Sequence, residues 1–132
     1  MEEKKGAFRF TYFTNKYQDT FDFFADQLEF NCIFSWDRDE NDKGALFNAG
    51  AGIIEFLQLP NDERLFNDGL DHRPPVGSFM CIQVWDVEKL FGQYKAKGIP
   101  FKQEVTNQPW GHKSFSITDP NGVVLMFFEE MH

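Results

Sequence analysis

A chain of 132 residues has the length of one folding domain, enough for a single sizeable core and too little for two independent ones. Hydrophobic residues make up 42% and charged residues 26%, near globular averages, but 17 phenylalanines predict a Phe-rich core with aromatic surface to spare for a ligand pocket. A net charge of −8 sets phosphate backbones and anionic lipid surfaces aside as partners, so neither nucleic acid nor membrane is expected.

The acidity is uneven. Residues 1–70 carry 14 acids and 7 bases, whereas 71–132 carry 7 acids and 6 bases. Much of the excess lies in Asp37-Arg38-Asp39-Glu40-Asn41-Asp42, which reads as a solvated hairpin loop and, as a sharper alternative, as a surface favouring a cationic ligand. No apolar run approaches the ~18 residues of a membrane helix, and the charged start leads straight into a strand-like stretch, so a cytoplasmic protein is expected. Cys32 and Cys81 have no metal-ligand spacing and read as reduced core residues.

In chain order, Phe8 to Phe13 is short, aromatic and β-branched, and reads as a strand. Residues 18–29 place Phe21, Phe24 and Leu28 at helical spacing. Strands follow at Asn31–Trp36, Ala45–Asn48 and Ile53–Gln58, the last after the turn Gly50-Ala51-Gly52. Leu59 to Gly77, with Pro60, Pro74 and Pro75, reads as a linker. Then the order repeats. Ser78–Val84 is a strand, Glu88–Lys97 a helix with Leu90, Phe91 and Tyr94 on one face and Gly98 at its end, and Pro100–Gln103 a short strand. Lys113–Ile117 and Val123–Glu129 close the chain around the tight turn Asp119-Pro120-Asn121-Gly122. Each half is β-α-β-β-β, module one over 7–58 and module two over 78–130. Phe8–Phe13 aligns with Ser78–Gln83 at an offset of 70 residues and Ile53–Leu57 with Val124–Phe128 at 71. The fold class expected is α+β, with two such modules pairing across a pseudo-two-fold axis into a half-barrel cleft.

Two stretches carry a family resemblance: Pro109-Trp110-Gly111-His112-Lys113-Ser114-Phe115 running into Asp119-Pro120-Asn121-Gly122, and Thr20-Phe21-Asp22-Phe23-Phe24-Ala25-Asp26-Gln27-Leu28 after the opening strand. With the repeat, they make the chain resemble the vicinal oxygen chelate superfamily, the group of glyoxalase I, extradiol dioxygenases and bleomycin resistance proteins. The resemblance covers nearly the whole chain. It implies a homodimer, since the family commonly dimerises, and in metal-dependent members it implies four ligands, usually His or Gln on the first strand and Glu on the last strand of each module. Mapped here, those positions fall on Arg9, Glu55, Phe79 and Met126. A guanidinium offers no lone pair, a phenyl ring none, and a thioether suits hard or borderline divalent ions poorly, so no metal and no other cofactor is expected. Arg9 and Glu55, if both point into the cleft, are expected to pair, because a buried charge without a partner is costly.

Other residues are candidates for ligand contact. Gln83 and Trp85 share strand parity with Phe79 and Cys81; Trp110 is placed to pack against Trp85, and Trp36 is a further candidate wall. His112 lacks an evident orienting partner for work as a general base. His72, in the linker, and His132, the last residue, read as solvent-exposed. The ligand-binding set is therefore Arg9, Glu55, Phe79, Gln83, Trp85, Trp110 and Met126. Three functions remain open on the sequence: sequestration of a cationic or aromatic small molecule, as in the bleomycin resistance group; a lyase or isomerase with Glu55 as general base and Arg9 stabilising an enolate-like charge; and a regulatory or structural subunit whose cleft is filled by its own side chains.

Overall fold

A computed structural model describes residues 6–62, 64 and 67–131. His132, expected to be exposed, lies outside the described residues. Module one runs β1 (Arg9–Thr14), α1 (Tyr17–Asp22) with a π-helical continuation over Phe23–Gln27, β2 (Asn31–Asp39), β3 (Asp42–Asn48) and β4 (Ile53–Gln58). Module two repeats it as β5 (Phe79–Gln83), α2 (Val87–Ala96), β6 (Gln103–Asn107), β7 (His112–Thr118) and β8 (Val124–Glu130). The architecture is α+β: two four-stranded mixed sheets ordered β1-β4-β3-β2 and β5-β8-β7-β6, not closed into a barrel. In each, the first strand lies parallel to the last and the other pairs are antiparallel.

The expected elements are all present, with instructive shifts. The stripe Phe21, Phe24, Leu28 assumed one α-helical period throughout. Leu28 N–H instead donates to the Phe23 carbonyl, the i to i−5 bond of a π turn, and Phe23 is buried together with Phe24 and Leu28 while Phe21 is only half-buried. Glu29, at φ 57, then turns the chain into β2. The acidic stretch is not a six-residue loop. β2 and β3 extend through most of it, leaving Glu40-Asn41 between them, because Trp36 and Arg38 both bond the Asp42 carboxylate and hold the hairpin ends together. The strand expected at Pro100–Gln103 begins later. Pro100 has no N–H to give a ladder and Phe101 packs on Phe91 at 4.5 Å, so pairing with β7 starts at Lys102, whose N–H donates to the Ser116 carbonyl.

One apolar cluster unites the modules: Phe24, Phe47 and Phe56 of module one lie in it with Phe115, Leu125 and Phe127 of module two, all essentially without solvent contact. Each such side chain contributes on the order of 2 kcal/mol by leaving water. The turn Asp119-Pro120-Asn121-Gly122 adds a polar clamp between modules. Tyr12 Oη donates to Asp119 Oδ2 at 2.7 Å, Thr14 Oγ1 to Asn121 Oδ1 at 2.5 Å, and Asn121 Nδ2 to Thr20 Oγ1 at 2.9 Å. Asp119 Oδ1 also accepts the N–H groups of Asn121 and Val123. With core and clamp behind them, the opposite faces of both sheets are left to carry function.

Candidate functional site

Strand alternation divides β1 between Phe10, Tyr12 and Thr14, packed inward, and Arg9, Thr11 and Phe13 on the open face. Register extends that face across the sheet. One row reads Arg9, Ile53, Asn48; the next Thr11, Glu55, Leu46, Phe34; the third Phe13, Leu57, Gly44, Trp36. Glu55 therefore sits mid-sheet, directly beside Thr11 and one row from Arg9. Its Oε2 accepts from Arg9 Nη1 at 3.4 Å and its Oε1 from Thr11 Oγ1 at 3.0 Å. The Glu55 side chain is 14% exposed and that of Arg9 49%, so one partner stays in water and the pair contributes less than about 1 kcal/mol to the fold. The expected pairing of Arg9 and Glu55 is present. Thr11 was not foreseen, although its place two residues after Arg9 puts it on the same face.

At the sheet's far side stands an aromatic shelf. A β-carbon on Gly44 would lie 2.2 Å from the Trp36 ring, so the indole rests directly on the glycine backbone. Trp36 Nε1 donates to Asp42 Oδ1 at 3.0 Å, the Arg38 guanidinium lies 5.9 Å from the ring centre, and Phe34 stacks beside it at 5.8 Å with 57% of its surface exposed. The linker reaches this face too. His72, expected in solvent, has a side chain only 4% exposed: its ring meets Phe13 edge-on at 4.9 Å and its Nε2 lies 2.9 Å from Asp68 Oδ2. That hydrogen bond holds the Asp68 carboxyl below its usual range. An apolar ring partner explains why a histidine in a Pro-rich segment turns inward, a signal that sequence separation hides. Between the linker and β1 lies a hollow of about 430 Å³ that includes Thr11, Phe13 and Arg73.

Module two presents the corresponding face differently. Its rows are Phe79, Val124, Thr118; then Cys81, Met126, Ser116, Gln103; then Gln83, Phe128, Ser114. The offsets of 70 and 71 residues thus carry Arg9, Thr11 and Glu55 onto Phe79, Cys81 and Met126. Cys81 is exposed on this face rather than in the core, and both cysteines are free. Trp85 lies beyond the end of β5 and is 88% exposed. Trp110, also exposed, contacts His112: its Nε1 donates to His112 Nδ1 at 3.0 Å, while the imidazole stacks on Phe128 at 4.5 Å. An indole N–H can only donate, so Nδ1 is the acceptor and the neutral ring carries its proton on Nε2. His112 has an orienting partner after all, the Trp110 indole two residues before it.

Arg9 and Glu55 are thus joined on one sheet, and Phe79, Gln83 and Met126 share the other. Among the described residues no hydrogen bond, ion pair or ring contact links the two sets. An apolar crevice of about 250 Å³ lies between the edge strands, lined by Phe8, Phe10 and Ile53 on one side and Phe79 and Cys81 on the other. No three His, Cys, Asp or Glu side chains among the described residues are grouped to hold a metal ion. The donor set at the four mapped positions does not fit a divalent ion: only Glu55 has suitable lone pairs, and both its oxygens are engaged.

The fold recurs in solved structures. TioX from Micromonospora sp. ML1 is similar at TM-score 0.75 and 16% identity, over 96% of this chain and 100% of that one. Lactoylglutathione lyase from Agrobacterium tumefaciens is similar at 0.72 and 16%, over 96% and 95%. A superfamily member from Sphaerobacter thermophilus DSM 20745 is similar at 0.71 and 20%, over 96% and 98%. At these identities the likeness concerns the fold alone. No protein of curated function matches in sequence. Residues 6–127 match the description Glyoxalase/Bleomycin resistance protein/Dioxygenase superfamily, nearly the whole chain, and the chain belongs to that superfamily.

Proposed function

We propose that this protein binds a small aromatic or cationic molecule without a metal and sequesters it rather than turning it over. The observation that carries this reading is the Arg9–Thr11–Glu55 constellation on the open face of β1 and β4: where the fold's metal-dependent members would place ligands, this chain has a carboxylate already held by a guanidinium and a hydroxyl. Phe34 and Trp36 offer a flat stacking surface in the neighbouring strand rows, and Glu55 together with the net charge of −8 favours a cation over an anion on this sheet. Phe79, Gln83 and Met126 supply the second sheet's contact surface, and Trp85 and Trp110 its exposed aromatic rim. A homodimer belongs to the reading. It is supported by large apolar side chains left in solvent on both sheets, with Phe34 and Phe79 each more than half exposed.

The alternative, a lyase or isomerase with Glu55 as general base, has less behind it. Arg9 is held by Glu55 rather than standing free to meet a developing enolate charge, and each Glu55 oxygen already accepts one hydrogen bond. The test is titration with matched aromatic cations and neutral isosteres, read by tryptophan fluorescence, on the native protein and on Glu55→Gln. The cation binds more tightly to the native protein, and Glu55→Gln removes the difference. Equal affinity for cation and isostere, or consumption of the ligand on incubation, overturns the proposal.

A further inference from the structure

Residues 71–132 are nearly neutral in charge while 1–70 hold almost all of the net negative charge, and the two open faces differ in the same sense. On module one the central carboxylate is satisfied by Arg9 and Thr11, and the linker packs His72 against Phe13. On module two the face holds a groove of about 620 Å³, a volume ordinary for small-molecule sites. Its floor is apolar, built from Phe79, Val124 and Met126, and its polar wall consists of Lys102, Gln103 and Ser116. Among the described residues no carboxylate lines it.

The polar wall offers donors. Among the described residues Lys102 makes no ion pair. Gln108 Nε2 donates to Gln103 Oε1 at 3.1 Å and to Ser114 Oγ at 3.0 Å. The Gln103 amide is thereby oriented: its oxygen is engaged by Gln108, and its NH2 group remains to donate. The Ser116 hydroxyl stands in the same strand row as Gln103 and Met126. A cation, an amide donor and a hydroxyl beside an apolar floor suit an anion attached to a flat apolar body.

From this we infer that module two carries a binding site of its own for an aromatic carboxylate, with the ring on Phe79 and Met126 and the carboxylate taken by Lys102, Gln103 and Ser116. The inference gives the second sheet's contact surface, which includes Phe79 and Met126, a ligand class of its own and does not depend on the Arg9–Glu55 pair, since the described lining residues of the groove belong to module two or its leading turn.

The probe is naphthalene-2-carboxylate set against neutral naphthalene-2-carboxamide, followed by amide chemical-shift changes on the full chain. The carboxylate binds about tenfold more tightly than the carboxamide, with shifts centred on β5, β7 and β8. Lys102→Gln abolishes that preference, Lys102→Arg keeps it, and Lys89→Gln, a matched charge loss on exposed α2, leaves it unchanged. Equal binding of the two probes, binding of neither, or a preference that survives Lys102→Gln overturns the inference. Shifts centred on β1 and β4 also overturn it, by assigning the anion to the Arg9 face. Loss of the cation preference in Glu55→Gln is a separate outcome and bears only on module one.

Discussion

Trp36 and Gly44 show how one residue's absence of a side chain places another. The indole occupies the space where a β-carbon at position 44 would stand, so Gly44→Ala must lift the ring from the sheet and stretch its bond to Asp42. The expected cost is about 1–3 kcal/mol, with a red shift of tryptophan emission and weaker stacking of any aromatic ligand. Thermal melts and fluorescence of the variant check it. The Arg9–Glu55 pair lies at the other end of legibility. The family resemblance maps both residues to ligand positions and their opposite charges imply the pairing, whereas Thr11 is marked only by its place two residues after Arg9 and His72, an imidazole under a linker, by no sequence spacing at all.

At the scale of elements, α2 carries the clearest local signal. Asp86 caps it by accepting from Lys89 N–H at 3.1 Å, and Gly98 follows its C-cap at φ 78. Asp86→Ala removes that acceptor and is expected to lower stability by about 1 kcal/mol, measured by urea denaturation with an unchanged dependence on denaturant. Of these two ends only Gly98 is anticipated from the sequence, and with the periodicity of helices and strands it made the β-α-β-β-β order, the repeat offsets and the α+β class legible. Boundaries failed where tertiary packing overruled local preference. The π turn exists because it lets Phe23 and Phe24, adjacent in sequence, both enter the core, and β6 starts late because Phe101 goes to Phe91 before the chain reaches the sheet. Trp85 was assigned to the face of a strand that ends two residues before it.

For the whole molecule, the clamp between modules matters as much as the core. Asp119→Ala strips acceptors from Tyr12 Oη and from the N–H groups of Asn121 and Val123, all at buried or half-buried positions. The expected loss is about 3 kcal/mol, seen as a melting temperature lower by roughly 10 °C. Asn121→Ala, which leaves the carboxylate in place, costs less. The same clamp sets an alkaline limit. Burial, then the Asp119 charge and its hydrogen bond, push the Tyr12 hydroxyl far above its ordinary value of about 10. Burial first, then nearby acids, also raises Tyr17 and Tyr94. A folded-state value above the unfolded one means that this contribution to stability is complete below pH 10 and declines as pH rises beyond it. Of the three tyrosines Tyr12 and Tyr94 are buried and Tyr17 only partly so, so in a spectrophotometric titration the Tyr12 and Tyr94 phenolates appear only as the fold itself opens. All three phenolates forming near pH 10 while the circular dichroism remains native contradicts the burial described here.

The face bearing Arg9, Thr11 and Glu55 holds an internal ion pair at positions where metal-dependent relatives are expected to carry ligands, and direct metal analysis tests whether that face takes a metal. Protein equilibrated with nickel or zinc and then passed through a desalting column retains far less than one equivalent, and its melting temperature is unchanged by the ion. One equivalent retained by the native protein and lost in Glu55→Gln would mean that this face is a metal site.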